Sequence, residues 1–126
     1  MFLEVSKKQI QLLEESKVTP CQLKSPTAAT LRKYGLTIES WCAMGDMQDW
    51  KCPVCGEEFN ESRRPVIDHE HVRNFKNMTP ENKVKYIRGL LHNFCNRRLV
   101  AKGMTVERAY GIYLYLSDYQ MRLNDN

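Results

Sequence analysis

Two short pairs of potential metal ligands constrain this chain more than any other feature. Cys52 and Cys55 flank a Pro-Val turn that is followed by glycine, and His92 and Cys95 repeat the same spacing later in the chain. Turns of this kind let two ligands face one cation, and four such ligands complete a tetrahedral zinc site. The pattern predicts a structural zinc ion held by both pairs. In the alternative interpretation, His92 and Cys95 only line the start of a helix.

Length and cysteine usage agree with a metal site. A chain of 126 residues forms one small domain that a structural metal helps to stabilise. Five cysteines without a secretory signal argue against a disulfide framework, so Cys21 and Cys42 are expected to be ordinary, partly buried residues. There is no apolar run of membrane-spanning length, and charged residues interrupt the first ten positions. We therefore expect a cytoplasmic protein.

A candidate active site lies between the two halves of the predicted zinc site. Two β-branched residues lead directly into the polar run Asp68–His71. In a strand, alternate side chains face opposite sides, so Asp68 and Glu70 share one face while His69 and His71 share the other. Each of these side chains can bind a metal or move a proton. A solvated, charge-rich turn is the alternative interpretation.

The positive charge of the chain is concentrated around this run. The whole chain has a net charge of +4, but residues 61–102 hold ten Lys or Arg against four Asp or Glu, a net charge of +6. Such an excess suits a polyanionic partner, because contacts to phosphates supply affinity that does not depend on base sequence. A solvated lysine-rich loop would produce the same composition.

Helical patterns flank the candidate site on both sides. We expect helices over residues 6–15, 27–34 and 37–47, and strands beginning at residues 66 and 86, with a 14-residue basic loop of no clear periodicity between them. A helix over residues 93–102 follows the second strand and ends at Gly103. A last helix begins near Thr105, and its predicted packing side consists of Val106, Ala109, Tyr110, Tyr113, Leu114 and Leu116.

The predicted elements follow the order strand, basic loop, strand, helix, with an Asp-His pair on the first strand and Asn96 on the helix. Because of this order and these residues, the chain resembles the HNH (ββα-metal, or His-Me finger) endonucleases, specifically the bacteriophage recombination endonuclease VII family. His92 stands where that family usually has cysteine, and Arg98 stands where a small residue is common. The resemblance covers about residues 27–116, through the motifs Leu31–Thr37, Cys52–Cys55, Asp68–His71 and Arg88–Asn96.

The resemblance implies an α+β fold and a division of the single domain. A zinc-stapled ββα-metal core is expected over residues 51–103, with a helical segment over residues 1–50 and a C-terminal helix over residues 104–126. It also implies a phage-encoded, metal-dependent endonuclease that nicks or cuts duplex DNA or branched DNA such as four-way junctions. The alternative is a non-catalytic zinc-containing module that binds nucleic acid. Whether the chain forms a homodimer is left open.

The chemistry of the side chains and the resemblance suggest the same roles. Asp68 and Asn96 offer the oxygen ligands that Mg²⁺ or Mn²⁺ prefers. His69 is the candidate general base, since an unperturbed histidine is largely neutral at about pH 7. His71 is a candidate ligand of the scissile phosphate or of the metal. The candidates for contacts to DNA phosphates are Arg73, Lys76, Arg88, Arg97 and Arg98.

Overall fold

The computed structural model describes residue 21 and residues 23–125 of the chain. The helix predicted over residues 6–15 lies outside them. The described elements, in chain order, are α1 (Ala28–Lys33), α2 (Ile38–Met47), β1 (Pro65–His69), a 3₁₀ turn (Phe75–Asn77), α3 (Pro80–Lys83), a second 3₁₀ turn (Val84–Tyr86), β2 (Ile87–His92), a π-helical turn (Cys95–Leu99) and α4 (Val106–Asn124). Strands β1 and β2 pair antiparallel, which confirms an α+β fold.

Helix α2 begins where the sequence predicts because its first turn carries a capping box. The Thr37 hydroxyl oxygen accepts a hydrogen bond from the Ser40 amide, and the Ser40 hydroxyl oxygen accepts one from the Thr37 amide. Gly35 ends the preceding helix α1 with φ +73°, and a Cβ there would lie 2.8 Å from the carbonyl oxygen of Pro80. Only glycine fits this turn, as expected from its position after the helix.

Helix α2 packs into the core through its apolar face, and one amide side chain at its end binds β2. Trp41 of α2 packs edge-on against Trp50, with ring centroids 5.3 Å apart, and both are buried. At the end of the helix, Gln48 Oε1 accepts a hydrogen bond from the Leu90 amide and Nε2 donates one to the Leu90 carbonyl oxygen, both at 2.9 Å. Gln48 therefore acts like a residue of a third strand and satisfies one edge position of β2.

The connection between the strands is more ordered than the sequence indicated. The predicted 14-residue loop contains the first 3₁₀ turn and the four-residue helix α3, which is capped by Thr79 and has Pro80 in its first turn. The second 3₁₀ turn begins in this loop and ends at Tyr86, so β2 begins one residue later than predicted. Segments of three or four residues are too short to display a helical period, so the pattern analysis missed them. The helix predicted over residues 93–102 is also shorter: it is helical only from Asn93 to Leu99, mostly as the π-helical turn.

The predicted packing of the C-terminal helix is wrong. Helix α4 begins after Thr105, as expected, and the Thr105 hydroxyl oxygen caps it by accepting a hydrogen bond from the Arg108 amide. However, no residue of α4 is buried, and the apolar side chains assigned to its packing side remain exposed among the described residues. Apolar periodicity identifies a face of a helix but does not say what covers it.

The expectation for Cys21 and Cys42 is also wrong. The structure joins them in a disulfide with Cα atoms 5.5 Å apart, and it leaves Cys52, Cys55 and Cys95 as the free cysteines of the described chain. Helix α2 carries Cys42 into the core, where the segment before α1 passes it. Because Cys21 and Cys42 are 21 positions apart in the sequence, no local spacing signal reveals the pair. In the described part of the chain, no helix combines the length and apolarity needed to cross a membrane.

Candidate active site and metal centre

Three of the four predicted zinc ligands lie together. The sulfur atoms of Cys52, Cys55 and Cys95 all lie within 4.8 Å of one another. The first two come from a tight turn in which the Gly56 amide donates a 2.7 Å hydrogen bond to the Cys52 carbonyl oxygen, and the third begins the π-helical turn after β2. The cluster therefore connects the segment before β1 to the segment after β2, and the candidate active site lies between these two segments in the chain.

His92, the predicted fourth ligand, lies beside this cluster at the end of β2. Its side chain is buried, its Nδ1 is 3.2 Å from Cys55 Sγ, and its Nε2 is 3.2 Å from the Glu58 carbonyl oxygen. The tautomer that donates from Nε2 to this carbonyl leaves the Nδ1 lone pair facing the sulfurs, which is the arrangement of a metal-binding histidine. Three thiols and one imidazole are a donor set that fits zinc.

The two buried thiols have different pKa values because their hydrogen bonds differ. Burial raises the pKa of Cys52, but the backbone amides around it, notably those of Cys55 and His92, outweigh burial and lower that pKa. Burial and the neighbouring Cys52 and Cys55 thiols raise the pKa of Cys95 to about 11. Three adjacent thiolates repel one another, and a bound cation would compensate their negative charges.

A β-bulge lies at the candidate catalytic pair. Asp68 pairs with Gly89 but His69 pairs with Ile87, so Arg88 is an extra residue in β2 without a partner in β1. Bulges of this kind redirect side chains and are common next to active sites. Here Arg88 Nε donates to Asp68 Oδ2 at 2.8 Å and Nη2 donates to Oδ1 at 2.9 Å. The carboxylate, only 5% exposed, is thus held by a two-pronged ion pair.

His69 projects from the other face of β1 into a group of rings. Its ring centroid lies 4.7 Å from that of Phe75, 4.8 Å from that of His71 and 5.3 Å from that of Tyr34. Burial against these rings, followed by the charge of His71, lowers the pKa of His69, although the Asp68 carboxylate acts in the opposite direction. The imidazole is therefore neutral near pH 7 and able to accept a proton.

The π-helical turn places Asn96 close to the same strand. Asn96 is partly buried and lines a cleft together with Val66, Ile67 and Tyr34. The two strand residues come immediately before Asp68, and Tyr34 is the ring that contacts His69. Oxygen donors on Asp68 and Asn96 are a set that fits Mg²⁺ or Mn²⁺.

The predicted DNA-contacting residues divide between two places. Arg73 and Lys76 line an open cleft of about 660 Å³ together with His69 and His71. Arg97 and Arg98 are exposed on the π-helical turn, whereas Arg88 is engaged with Asp68. Sequence reasoning missed three residues of the site: Lys102, which lines the open cleft, and the rings of Tyr34 and Phe75. The basic excess over residues 61–102 was the one available signal for Lys102.

Comparison with known proteins gives the class to which this chain belongs. The sequence model of recombination endonuclease VII matches residues 27–118, so the chain belongs to the recombination endonuclease VII family. The chain is also similar to the Gene 59 protein of Mycobacterium phage D29, with 29% identity over 70 residues. These residues are 56% of this chain and 36% of that protein, so the match spans about a third of the relative's length. No solved structure matches the chain.

Proposed function

We propose that this chain is a metal-dependent endonuclease that hydrolyses phosphodiester bonds in DNA. One observation carries the proposal: β1 presents the buried Asp68 carboxylate and, next to it, a His69 whose pKa is lowered, at the edge of a basic cleft. Membership of the recombination endonuclease VII family supports a nuclease, and the similarity to a phage protein supports a phage-encoded one.

Each side chain of the candidate site has a separate role in the proposed hydrolysis. Asp68 and Asn96 would hold Mg²⁺ or Mn²⁺, which supplies positive charge at the phosphate and at the leaving oxygen. His69 takes a proton from the attacking water, and its lowered pKa keeps it in the basic form that this step requires. His71, whose ring centroid is 4.8 Å from that of His69, would contact the scissile phosphate or the cation.

The cysteine cluster has a separate, structural role. Cys52, Cys55 and Cys95, with His92 as the fourth ligand, would hold zinc with every coordination position filled by protein. The site lies at the far end of the sheet from the catalytic pair, since β1 runs from Pro65 opposite His92 to His69 opposite Ile87. Zinc would therefore fix the register of the two strands that carry the catalytic residues.

Cleavage of defined substrates by the purified protein tests the proposal. A four-way junction, a nicked duplex and a plain duplex of equal length would be incubated with Mg²⁺, with Mn²⁺ and with EDTA, and the products resolved on denaturing gels. We expect cutting that requires the cation, and the preferred substrate separates junction cleavage from nicking of duplex DNA. DNA binding without cutting under every condition would instead identify a non-catalytic zinc-containing module.

The pH dependence of cleavage should report the lowered pKa of His69. Because the neutral imidazole is the active form, kcat/KM should fall as pH drops through that pKa, with a midpoint below about 6.5, the ordinary value for histidine. His71→Ala removes one cause of the shift and should move the midpoint to higher pH. A pH profile measured at saturating Mg²⁺ checks both expectations, and a midpoint clearly above the ordinary value would contradict them.

We further propose that the protein is a homodimer joined through α4. Ala109, Ile112, Leu116, Tyr119 and Leu123 recur at alternating spacings of three and four, and the last four are between 49% and 56% exposed. This is the spacing of a coiled-coil seam, and a second copy of the same helix is its simplest complement. The 19 helical residues extend over about 28 Å, which is enough for such a seam.

Light scattering coupled to size-exclusion chromatography tests this assembly. The wild type should elute with twice the mass of one chain, and Leu116→Lys should dissociate it because a charge in the seam is not compensated. Tyr115→Lys is the matched control, since Tyr115 is 75% exposed and lies outside the seam. A monomeric wild type, or equal effects of the two substitutions, would contradict the dimer.

A further inference from the structure

The ion pair between Arg88 and Asp68 bears on how the candidate catalytic cation reaches its site. Arg88 is the bulged residue of β2, and its side chain is directed to Asp68 by a local irregularity of the sheet and not by regular strand pairing. The guanidinium engages both oxygens of the carboxylate, through Nε and Nη2. The Arg88 guanidinium therefore compensates the charge of the Asp68 carboxylate.

The two members of the pair differ in exposure, and this difference determines which of them can move. The Asp68 side chain is 6% exposed, whereas that of Arg88 is 38% exposed. A buried carboxylate without a positive partner is costly, so Asp68 needs Arg88 or a cation at all times. The exposed guanidinium, in contrast, can leave for solvent or for a DNA phosphate at little cost.

We infer that the Arg88 guanidinium and the divalent cation exchange as the positive partner of the Asp68 carboxylate. This inference rests on the function proposed above. Arg88 is a positioning residue: it holds the carboxylate in place while the cation is absent and withdraws from at least one carboxylate oxygen when the cation binds. The competition weakens cation binding in the free protein. The released guanidinium then lies at the mouth of the site, where a phosphate group would pair with it.

Cation affinity measured without DNA tests the exchange directly. Binding of Mn²⁺ to the zinc-loaded protein would be followed by electron paramagnetic resonance for the wild type, Arg88→Gln, Arg88→Lys and Asp68→Asn. Arg63→Gln is the matched control, because Arg63 also pairs with a carboxylate, that of Glu57 at 2.7 Å, but away from Asp68. Removing a competing positive charge from the carboxylate should tighten Mn²⁺ binding by about tenfold in Arg88→Gln, and Arg63→Gln should leave it unchanged.

If Arg88 served only in folding, its replacement would not strengthen cation binding. An increase in the Mn²⁺ affinity of Arg88→Gln therefore distinguishes the exchange from a purely structural role. Unchanged or weaker Mn²⁺ binding by Arg88→Gln would overturn the exchange. If Arg88→Gln does not fold, Arg88→Lys decides: lysine keeps the charge but loses the two-pronged pair of hydrogen bonds, so the cation displaces it more easily and the Mn²⁺ affinity should exceed that of the wild type. Equal or lower affinity in that variant would overturn the exchange.

Nuclear magnetic resonance of the unmutated protein supplies an independent readout. The Arg88 Nε–H signal, assigned by its loss in Arg88→Lys, should shift as Mg²⁺ saturates the site, because withdrawal of the guanidinium from either Asp68 oxygen breaks or reorients the hydrogen bond from Nε to Oδ2. A saturated site with an unmoved signal would contradict the exchange. Asp68→Asn distinguishes a failure of the proposed cation site from a failure of the exchange. Mn²⁺ binding that survives this substitution would contradict the cation site at Asp68. Mn²⁺ binding that is lost in Asp68→Asn but unchanged in Arg88→Gln would contradict only the exchange.

Discussion

Replacing His69 with alanine should lower kcat/KM for DNA cleavage by about 10²- to 10⁴-fold, the usual contribution of a general base. The neutral imidazole is held in a fixed position by the rings of Tyr34 and Phe75, and its lowered pKa keeps it able to accept a proton. Binding of DNA in Ca²⁺, measured by fluorescence anisotropy, should change little, because the basic cleft remains intact. Single-turnover cleavage measures the loss.

The neighbouring histidine provides the control for this variant. His71 lies two residues beyond the end of β1 and its ring contacts that of His69, so His71→Ala perturbs the same surface. It does not take the proton in the proposed reaction, and we expect a smaller loss of activity than for His69→Ala. Equal losses in the two variants, or near wild-type cleavage by His69→Ala, would show that His69 is not the general base.

Loss of one cysteine of the metal centre should unfold the catalytic core. Cys95 is buried, and its sulfur lies with those of Cys52 and Cys55. Cys95→Ser removes one thiolate, and because the binding energy of structural zinc is folding energy, about 10 kcal/mol in small zinc domains, the remaining core should not stay folded. Circular dichroism and zinc content by mass spectrometry should show loss of both structure and metal.

Cys21→Ser serves as the control for cysteine replacement. It breaks the link to Cys42 but leaves all four candidate zinc ligands in place. This variant should retain one zinc ion per chain and its secondary structure. A folded Cys95→Ser protein that keeps stoichiometric zinc would contradict the proposed ligand set, as would a wild-type protein that contains no zinc.

The cysteine cluster was the most predictable part of the molecule. Cys52 and Cys55 have two residues between them and lie on one tight turn, so their spacing alone indicates that both sulfurs can face one cation. The starts of α1 and α2 were predictable for a similar reason, because the caps Thr27 and Thr37 are local signals. Structure can be predicted from local chemistry wherever the interacting residues are close in sequence.

The arrangement around Asp68 was not predictable in this way. The bulge at Arg88 depends on how β1 and β2 pair, and regular alternation alone does not indicate where an extra residue falls. The hydrogen bonds of Gln48 to Leu90 join residues 42 positions apart, and nothing in the local sequence marks them. The same holds for the Cys21–Cys42 disulfide and for the exposure of α4, which are properties of the tertiary structure.

The initial rate of supercoiled plasmid nicking by zinc-loaded protein, with and without Mg²⁺, tests the central claim most directly. Asp68→Asn, measured in parallel, removes one of the proposed cation ligands while keeping the size of the side chain. We expect nicking that requires added Mg²⁺ and disappears in Asp68→Asn. Absence of nicking by the wild type in Mg²⁺ or Mn²⁺, while both proteins still bind the plasmid, would contradict the proposed nuclease function.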